Sequence, residues 1–238
     1  MGFQKSFKRR ELKYLITNEQ REIIKESMRP YTVPDEYGRS TIRNLYYDTP
    51  TKLLIRRSIE KPVYKEKLRA RTYGLPGHDS PVFVEIKKKF KDVVYKRRAY
   101  MTLDEQELYL ARKIEAPFKN HITKEIDYFI KLYENLEPSV YLSYDREAYY
   151  AKDDHEFRIT FDDNILWRDT DLSLSFGVYG EQIIDNGMCL MEIKVADAIP
   201  RWMVDVLSRE KIRKTSFSKY GNAYLSMLKA GKTCFILK

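Results

Sequence analysis

Apolar and polar residues alternate with a period of two through much of this chain, and a strand puts alternate side chains on opposite faces. In the segment at about 6–16, Leu12, Tyr14 and Ile16 take one face, and Arg9, Glu11 and Lys13 take the other. In 63–73 one parity carries Lys65, Lys67, Arg69 and Arg71. In 81–90 Glu85, Lys87 and Lys89 oppose Val82, Val84 and Ile86, and in 93–101 Lys96 and Arg98 share a face. Further strands are expected at about 40–48, 139–150, 156–168 and 188–196. They add Arg146, then Arg158 with Asp162, then Glu192 with Lys194, the last pair opposing Cys189, Met191, Ile193 and Val195.

Elsewhere the apolar period changes to that of a helix. Helices are expected at about 18–29, 50–59, 103–113, 119–135, 200–210 and 219–230. Thr17 with Gln20 three residues on reads as a capping box for the first. Pro50 and Pro200 suit the first positions of two others. The 119–135 segment lines up Ile122, Ile126, Phe129, Ile130 and Tyr133 on one stripe, the spacing of an ordinary core face. Residues 74–80 read as a loop between strands. In 170–187 the alternation of Leu172, Leu174 and Phe176 is interrupted by Gly177 and Gly180. With no linker rich in Pro, Gly or Ser and no internal repeat, residues 1–238 read as one domain.

Composition narrows the class. Hydrophobic residues make up 43% of the 238 and charged residues 33%, which excludes a mostly disordered chain. No apolar run approaches the roughly 20 residues that span a bilayer. The basic N-terminus leads into no apolar signal segment. Cys189 and Cys234 make no disulfide framework. A soluble, cytoplasmic protein is expected. Lys and Arg total 44 against 35 Asp and Glu, a net charge of +9, which favours polyanionic partners.

The position of those charges matters more than their number. The strand faces named above hold 13 cations and four acids (Glu11, Glu85, Asp162 and Glu192), a surplus equal to that of the whole chain. Two architectures fit. In one, an antiparallel sheet packs its apolar face on helices and its charged face meets water. In the other, the strands close into a barrel with the charged face inside and helices on the apolar outside. Like charges about 4 Å apart cost roughly 1–4 kcal/mol per pair, so a closed cationic interior implies a bound anion.

Arg forks bind phosphate bidentately and Lys adds a point charge, so cations in rows suit an extended phosphate chain. The few acids have two readings, Glu85 among them. They are structural ion pairs, or they hold a divalent metal, Mg²⁺ or Mn²⁺, shared with triphosphate oxygens. Three Glu-x-Lys pairs (Glu11/Lys13, Glu85/Lys87 and Glu192/Lys194) set an acid beside a cation on one face.

These residues carry a resemblance. Glu11-Leu12-Lys13, Lys67-Leu68-Arg69-Ala70-Arg71, Glu85-Ile86-Lys87, Tyr144-Asp145-Arg146, Phe157-Arg158-Ile159-Thr160 and Met191-Glu192-Ile193-Lys194 occur in the order seen in triphosphate tunnel metalloenzymes, the CYTH-like superfamily. Phe217-Ser218-Lys219-Tyr220 resembles the closing motif of the vacuolar transporter chaperone (VTC) branch, the polyphosphate polymerase domains. The likeness spans residues from about 6 to 230. It implies an α+β fold, an eight-stranded antiparallel β-barrel with helices packed outside. It implies a transferase that moves the terminal phosphate of ATP onto a growing polyphosphate chain with Mn²⁺ or Mg²⁺. By residue it implies that Lys13, Arg69, Arg71, Lys87, Arg146 and Arg158 are the catalytic phosphate ligands. Glu192 would bind the metal. Glu11, Lys67, Lys96, Arg98, Lys194, Ser218 and Lys219 would contact substrate.

The sequence departs from the resemblance in two places. Hydrolytic tunnel enzymes share a Glu-x-Glu-x-Lys first strand, and here the first acidic position is Arg9. Fewer carboxylates activate water less well, which favours transfer to phosphate. Ser216 stands where the polymerase branch would carry a lysine. The partners implied are ATP and inorganic polyphosphate; movement of product across a membrane would need a separate protein. The alternatives are a tripolyphosphatase or nucleoside triphosphatase in the same tunnel, and a non-catalytic module for polyphosphate or RNA. For nucleic acid, Lys87-Lys88-Lys89 with Lys96-Arg97-Arg98 is the candidate patch, but parity turns half of it away from any flat surface. His78, His121 and His155 lack metal-ligand spacing. Cys189 falls on the apolar parity, Trp167 and Trp202 read as packing, and Tyr46, Tyr47, Tyr149 and Tyr150 as core or wall.

Overall fold

The computed structural model describes residues 10–91, 93–154 and 156–232; Arg9, His155 and Cys234 lie outside them. In chain order the elements begin with β1 (Arg10–Thr17), α1 (Asn18–Met28), β2 (Thr32–Pro34), β3 (Ser40–Asp48) and α2 (Leu53–Ile59). Then come β4 (Tyr64–Tyr73), β5 (Pro81–Phe90), β6 (Val93–Thr102), α3 (Leu103–Leu110), α4 (His121–Leu132) and β7 (Glu137–Ala151). The last are β8 (Arg158–Arg168), β9 (Glu181–Gln182), β10 (Met188–Val195), α5 (Arg201–Arg209), β11 (Lys214–Thr215) and α6 (Lys219–Lys229). The class is α+β, with strands paired antiparallel.

The chain forms two compact units, each assembled from three separate stretches of sequence. The first takes Met1–Ser40, Tyr144–Ile165 and Ile184–Phe217. Its strands run in the order β11-β1-β10-β8-β7, with β2 paired to β7. Tyr14 and Ile16 of β1, Ile159 and Phe161 of β8, and Met191 and Ile193 of β10 pack on Ile24 and Met28 of α1 and Met203 and Val206 of α5. Thr17 caps α1 through the expected box: its hydroxyl accepts from the Gln20 amide, and the Gln20 side chain accepts from the Thr17 amide. Cys189 is fully buried among these residues, which pushes its thiol up to about 12. Trp202 stacks on Tyr31 with ring centroids 4.7 Å apart.

The second unit takes Thr41–Ser143, Leu166–Ile183 and Ser218–Lys238, with strand order β7-β3-β4-β5-β6. Leu68 and Ala70 of β4, Val82, Val84 and Ile86 of β5, and Ala99 and Met101 of β6 form one apolar face. It packs on Leu103 and Leu110 of α3 and on Ile126, Phe129 and Ile130 of α4, with Ile122 and Tyr133 at the margin as the α4 stripe predicts. Trp167 is fully buried. Gly180 sits at φ +147°, and a Cβ there would lie 2.3 Å from the Trp167 carbonyl oxygen, so only glycine lets this segment close on β8.

Three expectations are corrected. The closed eight-stranded barrel is not what forms: eleven strands make an open sheet in which β11 and β6 have one neighbour each among the described residues. β11 is two residues long, and β6 carries Lys96-Arg97-Arg98, charge that resists edge pairing. Pro50 does not open α2; the helix begins at Leu53, because Asp48 accepts from the Leu54 and Ile55 amides and sets its start. Pro200 is the N-cap of α5 rather than its first residue. Among the described residues no helix is long and apolar enough to cross a membrane.

Candidate functional site

Antiparallel register puts directly opposed residues on the same face. In the second unit this lays the cations of β4, β5 and β6 out in rows. Lys65 faces Lys89; Lys67 faces Lys87, which faces Lys96; Arg69 faces Glu85, which faces Arg98. Arg71 lies one step further along β4, opposite Asn44 of β3. Eight cations share this face with one carboxylate, so Glu85 cannot neutralise it. The alternate parity behaves as expected: Lys88 and Arg97 turn away and pair with Glu125 of α4, at 2.8 and 3.4 Å. That geometry breaks up the cationic run proposed as a nucleic-acid patch.

Glu85 is 1% exposed and lies among three of those cations. Arg69 donates to its Oε2 from Nε and Nη2, both at 2.7 Å. Lys96 Nζ is 2.6 Å from Oε1, and Arg71 Nε is 3.9 Å from Oε2. Burial opposes ionisation, but Arg69, Arg71 and Lys96 outweigh it and hold the carboxyl at about 2. Lys96 is lowered to about 8: lost hydration and the fields of Arg69 and Arg71 together exceed the pull of Glu85.

Sequence reasoning took Tyr46 as wall, and it is more than that. Arg69 Nη1 donates to the Tyr46 hydroxyl at 3.0 Å, and Arg71 Nε donates to Asn44 Oδ1 at 2.8 Å. Burial would raise the Tyr46 phenol, yet Arg69, Lys67 and Arg71 lower it to about 8. Its ring stacks on Tyr220 of α6 at 4.4 Å, and the Tyr220 hydroxyl donates to Asp48 at 2.9 Å. Lys67 Nζ sits 5.4 Å from the Tyr220 ring centroid. Ser218 caps α6, its hydroxyl accepting from the Gly221 amide at 3.1 Å, and Lys219 is the first helical residue.

The polar face of the first unit has a different balance. Lys13 faces Glu192, Glu11 faces Lys194, Lys194 faces Arg158, and Glu192 faces Thr160. Lys13 Nζ lies 3.2 Å from Glu11 and 3.3 Å from Glu192, and donates to the Phe217 carbonyl at 2.9 Å. Arg146 donates to both oxygens of Asp162, at 2.5 and 2.6 Å, and reaches Glu192 at 3.5 Å. Asp162 and Glu192 raise the Arg146 guanidinium well above its ordinary value despite burial. Lys194 falls to about 8, because lost hydration and the fields of Arg146 and Arg158 exceed the attraction of Glu11 and Glu192. Arg158 pairs with Asp35 at 3.2 Å and lies over the Tyr150 ring at 4.8 Å.

The other face of this unit holds a network that parity reading left out. Arg21 of α1 donates to Glu147 and to Asp163, and Arg39 donates to Asp163 at 2.5 and 3.0 Å. Lys25 pairs with Glu147 at 3.0 Å. The signal was present as Asp145 and Glu147 flanking Arg146, two acids on a face that also meets a helix.

Among the described residues no three acidic, histidine or cysteine groups cluster into an all-protein metal cage. Two carboxylates, Glu11 and Glu192, nonetheless share the Lys13 ammonium. An oxygen-only pair of this kind fits Mg²⁺ or Mn²⁺, which take one or two carboxylates and complete their shell with phosphate oxygens. His78 is on the surface, paired with Asp104 at 2.9 Å. Ser216 is exposed.

A family profile for the VTC domain matches residues 8–228. No curated protein matches the sequence. Among solved structures, a Bacillus halodurans protein described as a candidate adenylate cyclase superposes with a TM-score of 0.54 at 14% identity, over 87% of this chain and 92% of its own. A Vibrio parahaemolyticus protein of the same description gives 0.49 at 11% identity, over 91% and 97%. The PH1819 protein of Pyrococcus horikoshii gives 0.44 at 15%, over 92% and 98%. The first of these shares the fold, and the profile covers nearly every residue placed above. The chain belongs to the VTC domain family.

Proposed function

We propose that this chain is a polyphosphate polymerase that moves the terminal phosphate of ATP onto a growing inorganic polyphosphate chain, the whole chain acting as one domain. The observation that carries this reading is the row pattern of β4, β5 and β6: eight cations against one carboxylate. Two successive rows lie about 6.6 Å apart along a strand, so three rows track an extended polyanion rather than a single ion.

In the transfer, the bond between the terminal phosphorus and its bridging oxygen breaks, and the electron pair leaves with ADP. A terminal oxygen of the acceptor chain forms the new phosphorus–oxygen bond. Such a transfer needs positioning and neutralised charge more than covalent help. In this reading Arg69, Arg71, Lys67, Lys87, Lys96 and Arg98 hold phosphates in the second unit. Lys13, Arg146, Arg158 and Lys194 do so in the first, and Ser218 and Lys219 add contacts at the start of α6. Glu192 and Glu11 would hold the divalent metal, which supplies charge neutralisation at phosphate oxygens.

The acceptor is already an oxyanion at neutral pH and needs no general base. Hydrolysis would need a group to take a proton from water. Glu85, Asp162 and Glu192 are instead ion-paired with cations. This favours phosphate over water as acceptor. The test is a two-product assay with purified protein, ATP and Mn²⁺. Polyphosphate chains accumulating with ADP support the polymerase. Inorganic phosphate alone would replace it with a triphosphatase, and neither product, with tight polyphosphate binding, would leave a binding module.

A further inference from the structure

Glu85 is the one acid on the face that β4, β5 and β6 share, and the fold buries it at the centre of the cations. Structural ion pairing alone calls for one partner of opposite sign, yet three cations lie within 4.0 Å of this carboxylate. The carboxylate occupies donor directions that a phosphate oxygen would use: Arg69 Nε and Nη2 and the Lys96 ammonium all point at it. The next rows, Lys67/Lys87/Lys96 and Lys65/Lys89, contain no acid.

We infer that Glu85 is an internal counter-anion that sets this face's preference for phosphate chains over single phosphate ions; the inference rests on the reading of the face as a phosphate site. A lone orthophosphate is drawn to the densest group of cations, Arg69, Arg71 and Lys96, and meets Glu85 there. Two anions that close repel each other. A chain also gains the acid-free rows, one and two steps along the strand, and places much of its charge away from Glu85. The carboxylate therefore weakens short anions more than long ones. It also keeps the arginines and Lys96 ion-paired when no substrate is bound, which limits their mutual repulsion.

The experiment is calorimetric titration of the full chain with orthophosphate and with tripolyphosphate, comparing wild type, Glu85→Gln and Glu85→Asp. Glutamine keeps the shape and removes the charge. Glu85→Gln is expected to bind orthophosphate about tenfold more tightly while tripolyphosphate affinity changes by less than about threefold, so the selectivity ratio falls. Glu85→Asp keeps the charge and is expected to keep the wild-type ratio, which leaves the inference testable should the glutamine variant not fold. An unchanged ratio in folded Glu85→Gln, or parallel weakening of both anions, would overturn the inference alone. A collapsed ratio in Glu85→Asp would overturn it as well. Wild type that bound neither anion would overturn both this inference and the phosphate reading beneath it.

Discussion

The polar faces of the two units are built from the same alternation and reach different charge balances, one near neutral and one strongly cationic. On the first, Lys13, Arg146, Arg158 and Lys194 meet Glu11, Asp162 and Glu192, and each acid has a cation within 3.5 Å. On the second, eight cations meet Glu85 alone. A near-balanced face satisfies itself, and under the proposed function its carboxylates would hold a metal. A face with a large surplus is unfavourable until an anion arrives from outside. The period-two pattern therefore tells which residues share a face, and under the proposed function the charge balance separates a face that joins a metal to phosphate contacts from one that offers phosphate contacts alone.

The largest effect should come from the surplus face. Arg69→Ala is expected to lower tripolyphosphate affinity by about 10- to 100-fold, since it removes a fork that also orders Glu85 and Tyr46. Titration calorimetry reads it, and unchanged affinity would break the comparison. Next, Glu192→Gln should cut metal-dependent turnover by about tenfold while ATP affinity moves less than about threefold, as expected of a group acting through the metal. Parallel losses in both would place Glu192 on phosphate instead.

A smaller effect follows from pH. Lys96 and Lys194 are both lowered to about 8, so each loses its proton as pH rises through 8, and phosphate-chain affinity should fall several-fold between about pH 7 and 9.5. Fold stability should move the other way. Between about 8 and the ordinary lysine value the unfolded chain binds more protons, so this contribution to stability rises with pH. The acid side has the opposite origin. Glu85 is held at about 2, so its stabilising contribution is complete above the ordinary carboxylate range and is lost as pH falls toward 2. Glu85→Gln should flatten that limb of an acid denaturation curve. The least sensitive position should be His78, whose exposed ring pairs with the exposed Asp104 carboxylate; His78→Ala should leave turnover unchanged.

Much of this was legible because it is local. Parity alone put Lys65, Lys67, Arg69 and Arg71 on one face, and the capping box at Thr17 and Gln20 marked the start of α1. What was not legible depends on distant partners. β2, β9 and β11 have two or three residues, too few for a period. α2 starts where Asp48 reaches its amides, which moves the boundary past Pro50. Barrel closure depends on which strand ends pair, and alternation carries no information about that. Tyr46 looked like any apolar-bodied strand residue until Arg69, Lys67 and Arg71 surrounded it. The Arg21, Arg39 and Lys25 network was missed because only one face of β7 and β8 was weighed.

The measurement that bears most directly on the division of labour is tripolyphosphate binding with and without Mn²⁺, for wild type, Arg69→Ala and Glu192→Gln. The account predicts that Arg69→Ala loses affinity whether or not metal is present, and that Glu192→Gln loses only the increment that Mn²⁺ adds. A metal-independent loss in Glu192→Gln, with Arg69→Ala weakened solely in the presence of Mn²⁺, would contradict it.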